Sequence, residues 1–402
     1  MILKSILVQI VKSQQFLNTA RDTGMKRESW ALIKPQLSHA LIVSGIRRGG
    51  KSTFLLQYLK SEYPKTFSLN FDDTRLVDFE KSDWMKLDEI IAESKSKVLF
   101  FDEIQIIEGW ERYIRQKLDE SYRVFITGSN ASLLSRELGT KLTGRHISKE
   151  LFPFSYTEFA KYKKLAISSN SVLVYLKTGG FPEFIKTGNN DVLLQLFNDV
   201  LIRDIAVRYG IRDIKTLQSM ALYLISNVGN RITASKLKKQ FSFGSTTTVL
   251  EYLSHLETSY LFFFVPKFSY SLKSQSINPK KVYSIDTGLI SANSASFTDD
   301  LGSRFENLIF LHIRRNNNEI YYFSVKNECD FVVCENGKVK ELIQACYELN
   351  PDNLERETNG LYEAMQFFKI KKGGIVTLNQ TDSILRDGMS ITVIPAHKFM
   401  KM

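Results

Sequence analysis

Gly45-Ile46-Arg47-Arg48-Gly49-Gly50-Lys51-Ser52 is the stretch whose reading decides the fold. It fits G-x-x-x-x-G-K-[ST] without a mismatch, with an apolar run, Leu41–Ser44, before it and an amphipathic stretch after it. Glycines there let the backbone curl until its N–H groups point at phosphate oxygens. Lys51 is then expected to reach the β- and γ-phosphates, and the Ser52 hydroxyl to ligate magnesium. The helix that starts at this point adds its positive dipole end. The loop therefore predicts ATP with Mg2+ as ligand, gripped by Gly45, Ile46, Arg47, Arg48, Gly49, Gly50, Lys51, Ser52 and Thr53.

Outward from the loop, Val98-Leu99-Phe100-Phe101-Asp102-Glu103 reads as a second fixed point. Its apolar residues do not alternate with polar ones, as befits a strand buried on both faces. Two acids at the exit of such a strand are costly to place without a cation. Asp102 is expected to hold the magnesium, directly or through water, and Glu103 to polarise the attacking water. A third run, Val124–Thr127, leads into Gly128-Ser129-Asn130. Ser129 or Asn130 can sense the γ-phosphate, cap a helix over residues 131–138, or do both. Arg145 can act as an arginine finger, in cis or across the interface of a homo-oligomer, or be an ordinary solvated arginine.

Short apolar strands alternate with helical stretches from about Ala40 to Phe154, the pattern of a parallel α/β sheet. Residues 157–215 read as helices broken at Gly179-Gly180-Phe181-Pro182. Thr233 and Ser245 can cap successive helices, the second with apolar positions Val249, Leu250, Leu253 and Leu256, and Leu261–Val265 follows as a strand. Helix, turn, helix and hairpin in that order suggest a winged helix over 216–290. Mixed α/β returns over 291–402, with strands expected at 320–325, 330–333, 341–345 and 374–378. The first domain is thus 1–156.

The balance of the chain is that of a soluble globular protein, 43% hydrophobic and 24% charged, with a formal net charge of +11. That excess attracts polyanions. Lys236, Lys238 and Lys239 offer phosphate contacts, whereas the following helix has no Lys or Arg with which to read bases. Nucleic acid bound through phosphates, and a protein partner, both stand as expectations. Cys329, Cys334 and Cys346 form no CxxC pair, and free thiols point to a reducing compartment. The first twenty residues carry Ile2, Leu3, Ile6, Leu7, Ile10 and Val11 at helical spacing, and no apolar run reaches membrane-spanning length. The location expected is the cytoplasm, with no membrane partner.

Taken as an ordered set, these motifs resemble prokaryotic AAA-type ATPases of the archaeal-ATPase and STAND-related branch. The shared features continue through Phe101-Asp102-Glu103-Ile104-Gln105, Thr127-Gly128-Ser129, Thr143-Gly144-Arg145, Gly180-Phe181-Pro182, Tyr283–Leu289, Glu306-Asn307 and Glu328-Cys329-Asp330-Phe331. The resemblance implies a P-loop parallel sheet in strand order 5-1-4-3-2, a helical lid, a winged helix and a C-terminal restriction-endonuclease-like α/β domain. It also implies that Gly180-Phe181-Pro182 lies near the nucleotide. Arg203, Asp204 and Arg208 can reach the site or an interface, or Asp204 and Arg208 can form an i,i+4 surface pair.

Nucleases of that C-terminal fold need an acidic pair for magnesium and a lysine beside the attacking water. Asp330, Glu306 and Gln344 match the acidic and amide positions, but Cys346 stands where the lysine belongs. The expected domain keeps the fold without its chemistry, unless Lys326, Lys338 or Lys340 reaches in. The function expected is ATP binding and hydrolysis coupled to a change of shape. The alternatives are a slow ATP-gated switch or scaffold, and a DNA nuclease.

Overall fold

The computed structural model describes residues 1–129, 142, 144–294 and 300–401. They form two compact units, Met1–Leu151 and Phe152–Met402.

The first unit contains α1 (Lys4–Ala20), β1 (Ala40–Ser44), α2 (Lys51–Glu62), β2 (Thr66–Asn70), α3 (Asp83–Ser94), β3 (Val98–Asp102), α4 (Trp110–Asp119), β4 (Arg123–Gly128) and β5 (His146–Glu150). Its five strands are all parallel, in the order β2-β3-β4-β1-β5. This is the order 5-1-4-3-2 read from the other edge. Alternate residues serve opposite faces. Leu99 and Phe101 join Leu7, Ile10 and Trp84 in one core, while Phe100 joins Phe54, Leu55 and Leu59 of α2 in the other. Helices on both faces explain why β1 and β3 are apolar up to their last residues, Ser44 and Asp102. A parallel register also brings every carboxyl end to one edge, with Ser44 level with Gly128 and Asn70 level with Asp102. Open α/β sheets bind their ligands at that edge.

The apolar stripe expected at the start of the chain holds only in part. Ile2, Leu7, Ile10 and Val11 are buried, but Leu3 and Ile6 face solvent. The sequence did not reveal what Gln14 does. Its side-chain amide donates to the Asn70 carbonyl at 3.1 Å and accepts from the Asn70 N–H at 2.7 Å. Both outward backbone groups of Asn70 on edge strand β2 are thereby satisfied by one side chain.

The second unit begins with α5 (Tyr156–Lys163), α6 (Ser169–Thr178), α7 (Pro182–Thr187), α8 (Asp191–Asp199) and a π-helical continuation, Val200–Val207. Next come α9 (Ile214–Ser226), β6 (Arg231–Ile232), α10 (Ala234–Gln240), α11 (Thr246–Thr258), β7 (Phe262–Pro266), α12 (Leu272–Ile277) and β8 (Lys280–Ser284). The rest is α13 (Thr287–Asn293), α14 (Leu301–Asn316), β9 (Glu319–Ser324), β10 (Glu328–Glu335), β11 (Lys338–Ala345), α15 (Leu354–Phe368), β12 (Lys372–Thr377), β13 (Asp382–Arg386), β14 (Met389–Pro395) and α16 (Ala396–Phe399). One sheet is antiparallel, β6-β8-β7, and the other is mixed, β13-β14-β12-β11-β10-β9. Thr233 and Ser245 cap α10 and α11 as their positions predict, accepting from the N–H groups of Lys236 and Thr248. Leu250 departs from the expected apolar face and is 54% exposed.

The glycine break between α6 and α7 has a steric cause. A Cβ on Gly180 would lie 2.3 Å from the Phe154 carbonyl oxygen, and one on Gly179 2.1 Å from Asp286 Oδ1. The Gly180 N–H donates to Asp286 Oδ2 at 2.6 Å, and the same carboxylate caps α13. The turn is thus seated on Phe154 and Asp286. The Asp204–Arg208 surface pair requires correction. Asp204 is buried, and it is Arg203 that approaches a carboxylate, Asp199, at 4.0 Å. Wider π-helical spacing turns these residues away from the α-helical register assumed for them. The three cysteines are free and buried. Among the described residues, no helix is long and apolar enough to cross a membrane.

Candidate nucleotide site

The loop Gly45–Ser52 leaves the carboxyl end of β1 and enters α2. Gly45 has no room for a side chain, since a Cβ would sit 2.2 Å from the Leu151 carbonyl oxygen. Gly50 is left-handed at φ 95° and forms the N-cap of α2, so Lys51 opens the helix and Ser52 and Thr53 lie in its first turn. The Lys51 side chain is buried and folds back into the loop, donating to the Ile46 carbonyl at 2.9 Å. Thr53 accepts from Arg21 at 3.2 Å. Arg47 is half-buried, Arg48 is exposed with φ 59°, and Gly49 accepts from the buried Arg27 at 3.5 Å.

Across the sheet edge, Ser52 Oγ donates to Asp102 Oδ1 at 2.8 Å. Thr127, at the end of β4, donates its hydroxyl to the same oxygen. Burial, and next the neighbouring Glu103 charge, push the Asp102 carboxyl up to about 6. Glu103 stands just past β3 in the left-handed region, φ 54°. Its Oε2 accepts from Gln105 at 2.5 Å and from Ser129 Oγ at 3.4 Å. A cavity of about 520 Å³ opens beside Asp102, with Gln14, Asn18, Arg21, Asn70 and Arg75 along its wall.

These residues fit a magnesium nucleotide. A buried carboxylate that already accepts a hydrogen bond from the hydroxyl in the first turn of α2 is a hard-oxygen site that leaves the rest of an ion's coordination to the ligand. Among the described residues no group of His, Cys, Asp and Glu is arranged to hold a metal alone.

The structure brings Lys51, Ser52, Asp102, Glu103 and Ser129 to one edge. Arg145 is not there, which corrects the expectation of a finger acting in cis. Its carbonyl accepts from Ala40 at the opposite end of β1, a strand of five residues and roughly 16 Å from the loop. Its guanidinium donates to the Ser38 carbonyl at 3.1 Å and pairs with Asp119. Asn130 lies outside the described residues. Sequence reading passed over Thr127 and Gln105. Thr127 is the one polar residue ending an otherwise apolar strand, a signal that was present. The contact of Gln105 depends on the left-handed turn at Glu103, which the sequence did not announce.

A parallel sheet in this order, with a glycine loop after β1 and acids after its neighbour-but-one, β3, defines the P-loop ATPase class of fold. A family model described as AAA domain matches residues 37–160, and one described as a domain of unknown function (DUF8612) matches residues 170–300. The chain is 34% identical over 367 residues to the uncharacterized protein MJ1544 of Methanocaldococcus jannaschii, covering 85% of this chain and 82% of that one. It is 29% identical over 355 residues to an uncharacterized protein of Haemophilus influenzae, covering 82% and 87%. The chain belongs to the family of the Methanocaldococcus protein, with an AAA domain at its amino-terminal end. Among solved structures it is similar to Caenorhabditis elegans PCH-2, at 19% identity and a TM-score of 0.25, over 62% of this chain and 68% of that one.

Proposed function

We propose that the chain binds ATP with Mg2+ and hydrolyses it, and that nucleotide state changes its shape. The observation that carries this reading is the Ser52–Asp102 hydrogen bond, which joins the start of α2 to the end of β3 with Glu103 next in sequence. A nucleotide scaffold without hydrolysis has no use for an acid placed to polarise water. In this reading the loop from Gly45 to Thr53 holds the phosphates, Ser52 and Asp102 hold the ion, Glu103 is the base, and Ser129 and Asn130 sense the γ-phosphate. Arg145 acts only across a subunit interface. The test is a magnesium-dependent ATPase assay on wild type, Lys51→Ala and Glu103→Gln, with and without double-stranded DNA. Hydrolysis by wild type that both substitutions leave intact would overturn the assignment.

A second reading, an ATP-gated module that grips DNA, draws on the second unit. Helices α9 to α11 with the small antiparallel sheet follow the order of a winged helix, and Lys236 and Lys239 on α10 are exposed. The domain scheme proposed with it is 1–156 ATPase, 157–215 helical lid, 216–290 winged helix and 291–402 nuclease-like.

A further inference from the structure

Strand β8 delivers one side chain into a pocket of acids. Lys281 Nζ lies 2.9 Å from Glu306 Oε1, 2.5 Å from Glu328 Oε1 and 2.8 Å from Asp330 Oδ1. Lys281 is 3% exposed and Asp330 4%. The other polar groups close the network around them. Tyr283 OH donates to Glu306 Oε1 at 2.6 Å, the Ala345 N–H to Asp330 Oδ2 at 3.0 Å, and Arg231 to Glu328. Gln344 accepts from the Asp330 N–H at 3.1 Å and donates to Glu357 at 2.7 Å. Gly229 forms a lid, for even a Cβ there would come within 3.3 Å of Glu306 Oε2.

Asp330 is buried and Glu306 and Glu328 are partly so, and three carboxylates drawn together out of water are costly unless a cation offsets them. An ammonium group has three N–H donors, and here each carboxylate takes one. The lysines suggested by sequence do not fill this place. Lys340 pairs with Glu335 at 3.4 Å, and Lys338 is an exposed residue at the far end of β11. Burial and the Asp330 charge push the Glu306 carboxyl up, and burial pushes Asp330 up as well.

We propose that Lys281 is the resident cation of a concealed divalent-metal pocket: its ammonium occupies the point where Glu306, Glu328 and Asp330 converge, keeps metal out, and on removal leaves an all-oxygen site for Mn2+ or Mg2+. The lysine comes from the small antiparallel sheet and the acids Glu328 and Asp330 from the six-stranded one, so the same contact ties the two sheets together.

The test is thermal unfolding of the full chain with and without millimolar MnCl2. Wild type, Asp330→Asn, Lys281→Ala and Lys281→Ala/Asp330→Asn are compared, so that binding elsewhere cancels. Manganese is expected to raise the Tm of Lys281→Ala by about 5 °C more than that of wild type, and Asp330→Asn to remove the gain. A manganese shift in wild type that Asp330→Asn abolishes overturns the proposal, as does a folded Lys281→Ala protein indifferent to manganese. Lys281→Met and Lys281→Met/Asp330→Asn provide a metal-free arm in case Lys281→Ala does not fold. The double variant, having lost cation and acid together, is expected to unfold at the higher temperature, and no recovery in it also overturns the proposal.

Discussion

Ser52 and Asp102 are fifty positions apart in the chain and 2.8 Å apart in the fold, hydroxyl to carboxylate. One lies in the first turn of the helix after the glycine loop and the other closes the third strand. Only a parallel sheet brings those two ends together. In the proposed reading these two side chains would hold the magnesium that comes with the nucleotide, in place of the hydrogen bond they now share.

The first prediction separates binding from chemistry. Lys51→Ala is expected to lose nucleotide affinity, since it removes the charge aimed at the phosphates. Glu103→Gln is expected to bind normally and to lose about 100-fold or more in kcat, because an amide cannot take the water's proton. Nucleotide titration and steady-state turnover, run on the same preparations, check both halves.

Asp102 gives a pH prediction. Its carboxyl is pushed up to about 6 in the nucleotide-free fold, above its value in the unfolded chain, so folding favours the protonated form. The sign follows: the Asp102 contribution to stability is fully present below about pH 4 and is lost as pH rises through about 6, a loss on the order of 3 kcal/mol. Magnesium needs the ionised form, so its affinity should climb over the same interval. Asp102→Asn is therefore expected to raise the Tm of the nucleotide-free protein at pH 7 and to abolish stabilisation by magnesium nucleotide. A lowered Tm, measured by calorimetry, would show that the buried charge is not costly.

Gly180 gives a stability prediction. A methyl group there overlaps the Phe154 carbonyl oxygen at 2.3 Å and disturbs the N–H bonded to Asp286. Gly180→Ala is expected to cost about 3 kcal/mol or more in the second unit. Urea unfolding followed by far-ultraviolet circular dichroism measures it, and a cost under about 1 kcal/mol would mean the turn yields easily.

DNA binding, if it occurs through α10, should depend on phosphates. Helix α11 contains no Lys or Arg, so guanine readout is denied to it. Fluorescence anisotropy on unrelated duplexes should give similar affinities that fall steeply with salt. Replacing Lys236, Lys238 and Lys239 together should reduce the salt slope by about 3. A sequence-specific complex insensitive to salt contradicts this.

No cleavage of plasmid or single-stranded DNA is expected, with Mg2+ or Mn2+ and with or without ATP. Cys346 stands where a nuclease of the resembled kind has its lysine, and burial pushes its thiol up to about 12. It is neutral at any working pH and brings no positive charge to a water. Cleavage that disappears in Asp330→Ala would restore the nuclease reading.

Much of the first unit, and the helix caps of the second, were legible because their signals are local. The glycine spacing at Gly45–Ser52, the unbroken apolar run into Asp102 and the caps at Thr233 and Ser245 each follow from neighbours along the chain. Leu250 and Asp204 were misread for the same reason. An α-helical period was assumed where burial depends on what the helix packs against, or where the helix itself widens to π spacing.

The sequence by itself determined the nucleotide loop, the two acids and the parallel character of the sheet, because phosphate geometry and strand burial leave few residue choices at fixed spacing; the strand order was implied only by the family resemblance. Tertiary structure alone decided which distant side chains meet. It put Arg145 at the wrong end of β1 for the loop, gave Gln14 to the free edge of β2, and sent Lys281 from one sheet into the acids of another. Such meetings join residues 25 to more than 100 positions apart, and the energy that selects them comes from burial and charge pairing created only when the chain is folded.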